Sequence, residues 1–331
     1  MKSHTVPKKL LEQFAFVDPL THSKRLWCYE KGIPPYLVAP KSATRWDGHF
    51  ADPVNSAREA ALELQLKREF EDPVNQFIEM LRYRTFVIGA AHVRALTGYI
   101  TILFNRSRAR RAATNLQQDD QIGALRALLK DDEKLAQLAA KETMNMFARG
   151  VPGVVTKEIL TKVIQKQIEE HSSAEQPQAR YVQTMETMMA YRDENMLNGE
   201  WRIIYTDASG PFVIGDAPVV TWERLPNNAL LFGQGFARPN VEVLLPVAPT
   251  ACLQVLPRIE RNRSVRIPKA KEINTAQAAF ATRQSFSVVR SDELDAFLQP
   301  QFGTCRLGVD GFALRNVDYK HKLFEILMNQ K

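Results

Sequence analysis

A change in hydrophobic spacing near Gly199 constrains the fold of this 331-residue chain more than any other feature. Between about residues 53 and 198, apolar residues recur every three to four positions, which is typical of helices. After Gly199, short apolar runs such as 201–206 and 251–256 alternate with Pro and Gly, which is typical of strands and turns. The pattern predicts an α+β protein, with an N-terminal and central helical bundle packed on a C-terminal, mainly antiparallel sheet.

Caps, turn residues and spacing also locate individual elements. The predicted helices are Lys8–Phe16, two that begin near residues 53 and 73, 119–148, 156–171, 177–197, 270–283 and one from about residue 317. The predicted strands are 25–30 with a partner after the turn at 31–35, then 201–206, 211–214, 241–245, 251–256 and 286–289. Because no long flexible linker is visible, we predict a single integrated domain over 1–331, helical over about 53–198 and mainly β over about 199–316.

One apolar segment, Thr85–Phe104, has the length of a membrane span. His92 and Arg94 lie in its middle, and a central Arg costs about 2.5–3.5 kcal/mol on insertion scales. The residues at three- and four-residue steps instead suit a helix that is apolar on most sides, in the middle of a bundle. We therefore expect a buried central helix and no membrane partner.

The cysteines bear on the compartment. The chain has three cysteines, widely spaced and without a CxxC pair: Cys28, Cys252 and Cys305. A structural zinc site or a disulfide framework is not indicated, and a reducing cytoplasm fits this usage best. The N-terminal segment also lacks the apolar stretch of a signal peptide. The sequence thus predicts a cytoplasmic protein.

The best-known catalytic motifs are missing from the chain. There is no GxxxxGK[ST] phosphate loop, no HExxH, no GxSxG and no kinase signature. Gly233-Gln-Gly235 lacks the third glycine and the helix of a dinucleotide site. A catalytic site would therefore consist of residues that folding brings together.

The net charge of +7 comes from two local patches. Asn105–Asn115 contributes +4 and Arg258–Lys271 contributes +5, so the rest of the chain carries −2. The first patch follows the apolar central helix, where its charges are expected to complement a helix C-terminus. The predicted phosphate contacts are Arg106, Arg108, Arg110, Arg261, Arg263 and Arg266. A solvated helix end and a solvated loop remain the alternatives.

Two further residues have a functional and a structural interpretation. His4, followed by the rigid Pro7, is a general base near neutral pH if its segment is docked, and otherwise a solvated tail residue. Asp216 follows a short apolar strand and precedes Pro218. It is either a catalytic carboxylate at a strand end or the cap of an Asx turn.

Short motifs along the chain extend this set. In chain order they are His4-x-Val6-Pro7 with Phe14, Trp27-x-Tyr29, Glu69, Arg106, Asp216-x-Pro218, Pro246-x-x-Pro249 and Asn274. Together they resemble the bacterial family called domain of unknown function 4238, over most of the chain. Thr5 and Gly215 depart from the family pattern, which has an aromatic residue and Ser there. The resemblance implies that five polar residues, costly to bury singly, share one site: His4, Glu69, Arg106, Asp216 and Asn274.

We interpret this set first as the catalytic site of a phosphodiester-cleaving, RNase-like nuclease of a bacterial defence or toxin type. His4 is then the general base or acid, and Arg106 stabilises charge on the phosphoryl group. Asp216 or Glu69 orients His4 or acts as the second acid–base group. No cofactor is predicted. A metal route through His4, Glu69 and Asp216 stays open, although no ligand spacing supports it.

The alternative is a non-catalytic nucleic-acid sensor or interaction module of a defence system. In that case the two basic patches bind the phosphate backbone, and His4 is structural. A binding module of this kind should lose affinity steeply as salt increases, whereas His4→Ala should leave its affinity intact. Nucleic acid, with RNA first, is the expected partner in both interpretations.

Overall fold

The computed structural model describes residues 2–47, 56–148, 153–173, 185–189, 193–206, 210–225, 229–233, 235–236, 238, 240–257 and 266–305. These residues divide into two compact units. The first contains the described residues up to Ala113 and those from Met185 onwards, and the second contains those from Thr114 to Ser173. The predicted terminal helix from about residue 317 lies outside the described residues.

The α+β prediction is confirmed, because helices and antiparallel sheets both contribute to the fold. The helices are α1 (Lys8–Glu12), α2 (Ser56–Leu66), a π-helical turn (Lys67–Glu71), α3 (Asp72–Asn75), a 3-10 turn (Ile78–Arg82), α4 (Ala90–Arg106), α5 (Arg108–Leu128), α6 (Asp132–Phe147), α7 (Lys157–Ser173), α8 (Glu194–Leu197), α9 (Ala270–Phe280), α10 (Asp292–Leu298) and a 3-10 turn (Gln299–Gln301). Residues 185–189 are also helical.

The strands are β1 (Lys2–His4), β2 (Phe16–Val17), β3 (Lys24–Glu30), β4 (Ile33–Val38), β5 (Arg45–Asp47), β6 (Glu200–Tyr205), β7 (Ile214–Gly215), β8 (Val220–Arg224), β9 (Leu230–Phe232), β10 (Val241–Ala248), β11 (Ala251–Leu256) and β12 (Gln284–Ser287). One sheet has the order β6-β11-β10-β8-β9. A second has the order β2-β3-β12-β7, with β4 also on β3, and β1 pairs with β5. The second sheet thus joins strands from opposite ends of the sequence.

The core of the first unit lies around β10, β11 and α4. Every residue of β10 and β11 is buried, which explains why their sequences are continuous apolar runs rather than alternating ones. In α4, the residues from Leu96 to Phe104 are buried, whereas Arg94 is exposed. The Arg94 charge is therefore hydrated and is not buried with the rest of the helix. Within the described ranges, no helix combines the length and the apolar character that a membrane span requires.

The second unit contains a helical hairpin of α6 and α7. Leu135 and Ala139 of α6 pack with Leu160 and Val163 of α7 in a small apolar cluster. The predicted helix over 119–148 is interrupted before α6, where the Asp131 side chain accepts a hydrogen bond from the Lys134 amide at 3.1 Å. Such a cap starts a new helix.

Candidate functional site

The basic patch at residues 106–111 lies at a junction between two helices. Helix α4 ends at Arg106, Ser107 has extended backbone angles, and α5 begins at Arg108. The Ser107 hydroxyl donates to the Phe104 carbonyl at 3.1 Å and accepts from the Arg110 amide at 3.2 Å. The patch was expected to lie at a helix C-terminus, and for all of its arginines except Arg106 that expectation is wrong. They occupy a first turn, where their charge adds to the positive end of the helix dipole.

Arg106 itself is neutralised by two carboxylates. Its side chain is 2% exposed, with Nη1 at 2.7 Å from Glu71 Oε1 and Nη2 at 3.3 Å from Glu63 Oε2. Glu63 lies on α2, and the π-helical turn that follows carries Glu71. Burial and the nearby Glu71 charge raise the pKa of Tyr99 well above its ordinary value. The predicted phosphate contact is thus the centre of a buried ion-pair cluster.

Arg110, one turn further on, has a different environment. Its guanidinium lies over the Phe104 ring, 5.3 Å from the centroid, and its Nε is buried without a hydrogen-bond partner. No carboxylate of the described residues lies within ion-pair distance of it. Burial lowers the pKa of Arg110, although an arginine stays charged at neutral pH. A half-buried cation at a helix N-terminus suits an anionic ligand.

Asp216 follows β7 directly and is 3% exposed. Its carboxylate accepts from the backbone amides of Thr282 at 2.8 Å, Arg283 at 3.1 Å and Gln284 at 3.3 Å. Burial raises the pKa of Asp216 to about 6, and the three amides together with the Arg108 charge oppose that rise. The structure therefore brings Asp216 within electrostatic range of Arg108, while its oxygens hold the turn before β12.

Asn274 lies on α9 and is also bound to backbone. Its side-chain oxygen accepts from the Val213 amide at 2.9 Å, and its nitrogen donates to the Pro211 carbonyl at 3.0 Å. The departure at Gly215 has a steric reason, because a Cβ there would lie 2.8 Å from the Gln277 carbonyl oxygen. Asn274 thus fixes the segment that leads to Asp216.

His4 is the last residue of β1, which pairs with β5. Its Nδ1 lies 3.2 Å from the Ala43 carbonyl oxygen. A carbonyl only accepts, so this bond requires a proton on Nδ1 and leaves the lone pair of a neutral ring on Nε2. His4 is therefore held in a strand rather than in a solvated tail, in the tautomer that a general base at Nε2 needs.

Glu69 forms no hydrogen bond or ion pair with Arg106 in the described part of the chain. It is exposed and accepts a hydrogen bond from Gln65 at 2.9 Å. It also lines an open cleft of about 490 Å³ beside α4, together with Arg94 and Pro73. None of the hydrogen bonds or ion pairs of Glu69, or of Asp216 and Asn274, reaches another of the five predicted residues.

Sequence reasoning missed Glu63 and Glu71, the two carboxylates on Arg106. They lie eight residues apart in one helical run. Positions that are eight apart are about 80° apart around a regular helix, close enough to serve one partner. That spacing was the available signal.

The second basic patch is only partly described. Arg261 and Arg263 lie outside the described residues, and Arg266 is exposed with an ion pair to Glu272 at 3.2 Å. The junction between α4 and α5 is thus the best-defined basic site.

Among the residues that the structure describes, no group of three His, Cys, Asp or Glu side chains is arranged to hold a metal ion.

Comparison with known proteins gives one match. A family model described as Protein of unknown function (DUF4238) matches residues 2–291 of the chain. No curated protein and no solved structure is significantly similar to it.

Proposed function

The chain belongs to the DUF4238 family of proteins of unknown function, and we propose from its geometry that it binds nucleic acid by a phosphate group at the first turn of α5 and cleaves phosphodiester bonds. The proposed substrate is RNA, in a bacterial defence or toxin setting. A cytoplasmic location belongs to the same proposal, supported by three cysteines that form no disulfide.

The observation that carries this proposal is the unpaired guanidinium of Arg110. Taking a cation partly out of water is costly unless an anion compensates for it. The described residues provide no carboxylate for Arg110, whereas Arg106 has two. The first turn of α5 contains no acidic residue and adds its dipole to the arginine charges. A phosphate bound there would compensate both the Arg110 charge and the positive end of the α5 dipole.

Arginine side chains and helix amides also suit the chemistry of phosphoryl transfer. They stabilise the charge that develops on the phosphoryl oxygens and need no proton transfer of their own. His4 supports the catalytic part of the proposal, because its Nδ1 is bound to Ala43 and Nε2 is the basic atom. Asp216 supports it as a positioning residue beside Arg108.

A second candidate function is nucleic-acid binding without cleavage, as in a defence sensor. It is favoured by the number of predicted catalytic groups whose polar atoms are bound within the protein. Arg106 is paired with Glu63 and Glu71, and Asp216 accepts three backbone amides. Both candidates use the same phosphate site, and only the cleavage assay separates them.

The test measures binding and cleavage of a labelled single-stranded RNA by the full chain. Arg110→Met should weaken binding about tenfold, the effect of losing one charge-assisted contact of about 1.4 kcal/mol. Arg290→Met is the matched control, because Arg290 also lies over an aromatic ring, at 5.6 Å from the Trp27 centroid, but is exposed. Equal effects of the two variants would contradict the phosphate site.

Cleavage is tested with His4→Ala. The nuclease proposal expects wild-type protein to cut the RNA and His4→Ala to cut it at least about 100-fold more slowly, with binding retained. If wild-type protein binds without any cleavage, the sensor function is the correct one. Growth arrest on expression in bacteria provides a second readout.

A further inference from the structure

A second polar cluster lies where β4 pairs with β3. The Tyr36 hydroxyl donates to Glu30 Oε2 at 2.5 Å, and the Gln284 side-chain amide donates to the same oxygen at 3.0 Å. Arg283 forms an ion pair with the other oxygen, Glu30 Oε1. Glu30 is only 3% exposed, whereas Tyr36 is 36% exposed. A buried carboxylate thus holds the hydroxyl of an accessible tyrosine.

Strand pairing explains why these side chains meet. Tyr36 of β4 is opposite Cys28 of β3, and Glu30 lies two residues further along the same face. Gln284 of β12 is opposite Glu30 on the other side of β3. Three adjacent strands therefore place Tyr36, Glu30 and Gln284 side by side, and the register shift between Cys28 and Glu30 marks a bulge, which re-aims side chains.

The cluster is connected to the proposed phosphate site through the turn before β12. The backbone amides of Arg283 and Gln284 donate to Asp216, and their side chains contact Glu30. The Arg108 charge acts on the same Asp216 carboxylate. The Arg283 side chain is 59% exposed, so its guanidinium is accessible to a ligand as well as paired with Glu30.

We propose that Tyr36 is the nucleophile of a phosphodiester transfer, with Glu30 as its general base and Arg283 as a phosphate contact. The arrangement has the three parts of an activated nucleophile: a hydroxyl, a base within hydrogen-bond reach, and groups that orient the base. Here Gln284 and Arg283 orient Glu30. This inference rests on the proposed function, since it assigns a residue to that cleavage.

The step is balanced without a cofactor. The Tyr36 oxygen forms a bond to phosphorus and passes its proton to Glu30, while the bond from phosphorus to the leaving nucleoside oxygen breaks. The leaving oxygen takes a proton from water, and the phosphate remains linked to Tyr36 until a second water hydrolyses that link. His4, the general base of the proposed function, takes the proton of this second water, and the Tyr36 oxygen regains its own from Glu30. Burial raises the pKa of Glu30, but hydrogen bonds from Tyr36 and Gln284 and the Arg283 charge lower it overall, so the carboxylate is ionised. Burial and the hydrogen bonds with Cys28 and Glu30 raise the pKa of Tyr36, so its proton moves to Glu30 only as the bond to phosphorus forms.

Cys28, the other nucleophile beside Tyr36, does not suit this role. It is 0% exposed, and burial raises the pKa of its thiol to about 12. The thiol therefore stays protonated and out of reach of a ligand. The hydroxyl of Tyr36 is the accessible group.

The test is covalent capture. Full-length protein is incubated with single-stranded RNA or DNA labelled at either end, denatured, and analysed by gel and by mass spectrometry of its peptides. We expect label on the peptide that contains Tyr36. Tyr36→Phe should lose the label and reduce cleavage at least about 100-fold with binding unchanged, and Glu30→Gln should reduce both at least about tenfold.

Tyr83→Phe is the matched control, because the Tyr83 hydroxyl is exposed and bound to Arg82 but lies outside the cluster. It should label and cleave like wild type, and thermal unfolding checks that every variant is folded. Cleavage by wild type without label, or by Tyr36→Phe at the wild-type rate, overturns the nucleophile and leaves the nuclease proposal standing. Binding with neither cleavage nor label overturns both.

Discussion

Two arginines on either side of Ser107 have opposite electrostatic environments. Arg106, the last residue of α4, is 2% exposed and contacts Glu63 and Glu71. Arg110, in the first turn of α5, contacts the Phe104 ring and none of the described carboxylates. They are four residues apart and equal in formal charge. The fold compensates the first charge with two carboxylates and gives the second none among the described residues.

The two environments predict different roles for the two charges. A buried ion pair costs several kcal/mol if one partner is removed, because the other charge stays buried alone. An unpaired charge at a helix N-terminus weakens the helix slightly and strengthens the attraction for anions. Arg106 should therefore affect stability most, and Arg110 should affect ligand binding most. The following variants test that division, from the largest expected effect to the smallest.

Arg106→Met should reduce the free energy of unfolding by about 3–5 kcal/mol, since it removes the buried cation that contacts both Glu63 and Glu71. Urea denaturation measures the loss. Arg58→Met is the matched control, because Arg58 pairs with Glu186 at 2.9 Å where both side chains are more than a third exposed. It should cost at most about 1 kcal/mol. Similar losses for the two variants would show that burial of the Arg106 pair is unimportant.

Asp216, which lies within electrostatic range of Arg108, should make the free energy of unfolding depend on pH. Its pKa rises from 3.8 to about 6 on folding, so the folded state favours the protonated acid. This contribution is present below pH 4 and is lost as the pH rises from about 4 to 6, at most about 3 kcal/mol. Asp216→Asn should flatten the pH dependence of urea denaturation over that range. A slope that persists in the variant would assign it to another group.

Ser107→Ala removes the hydroxyl that caps α5 by accepting a hydrogen bond from the Arg110 amide. The change should lower the free energy of unfolding by about 1 kcal/mol. Ser291→Ala is the matched control, because the Ser291 hydroxyl caps α10 in the same way, at 3.1 Å from the Leu294 amide. The two variants should lose similar stability. RNA binding should weaken in Ser107→Ala alone. An equal loss of RNA affinity in both variants would show that the junction between α4 and α5 is not part of the binding site.

Arg110→Met should leave the free protein as stable as wild type or raise the free energy of unfolding by about 0.3–1 kcal/mol. The reason is that it removes a positive charge from a helix N-terminus and keeps an apolar side chain on Phe104. Urea denaturation without ligand measures the change. A loss as large as that of Arg106→Met would mean that Arg110 has an essential partner in the fold.

Much of the fold was predictable, because its largest elements have strong periodicity. The spacing predicted α4 as a buried helix, and the apolar runs predicted β10 and β11. The short β8 and β9 were missed, since a strand of three to five residues depends on its neighbours in the sheet. The end of the central helix at the basic patch was predicted, but the next helix was placed at 119–148, so the start of α5 at Arg108 was missed.

The sequence predicted which residue types form the candidate site, but not which of its side chains contact one another. The sequence indicated a dense positive patch, and the patch exists. It could not show which arginine is neutralised, because the carboxylates on Arg106 lie 35 and 43 residues away in the chain. It also assigned Asp216 and Asn274 to chemistry, whereas their polar atoms bind backbone groups that only the folded sheet brings near. The Tyr36 and Glu30 cluster carried no recognisable sequence signal.

The salt dependence of RNA binding tests the central claim most directly. Each phosphate contact by a cation contributes about 0.7 to the slope of log affinity against log salt for a single strand. Arg110→Met should lower the magnitude of that slope by about 0.7, whereas Arg290→Met should leave it unchanged. An unchanged slope in Arg110→Met, in protein that binds as tightly as wild type, would contradict the assignment of Arg110 to a phosphate group.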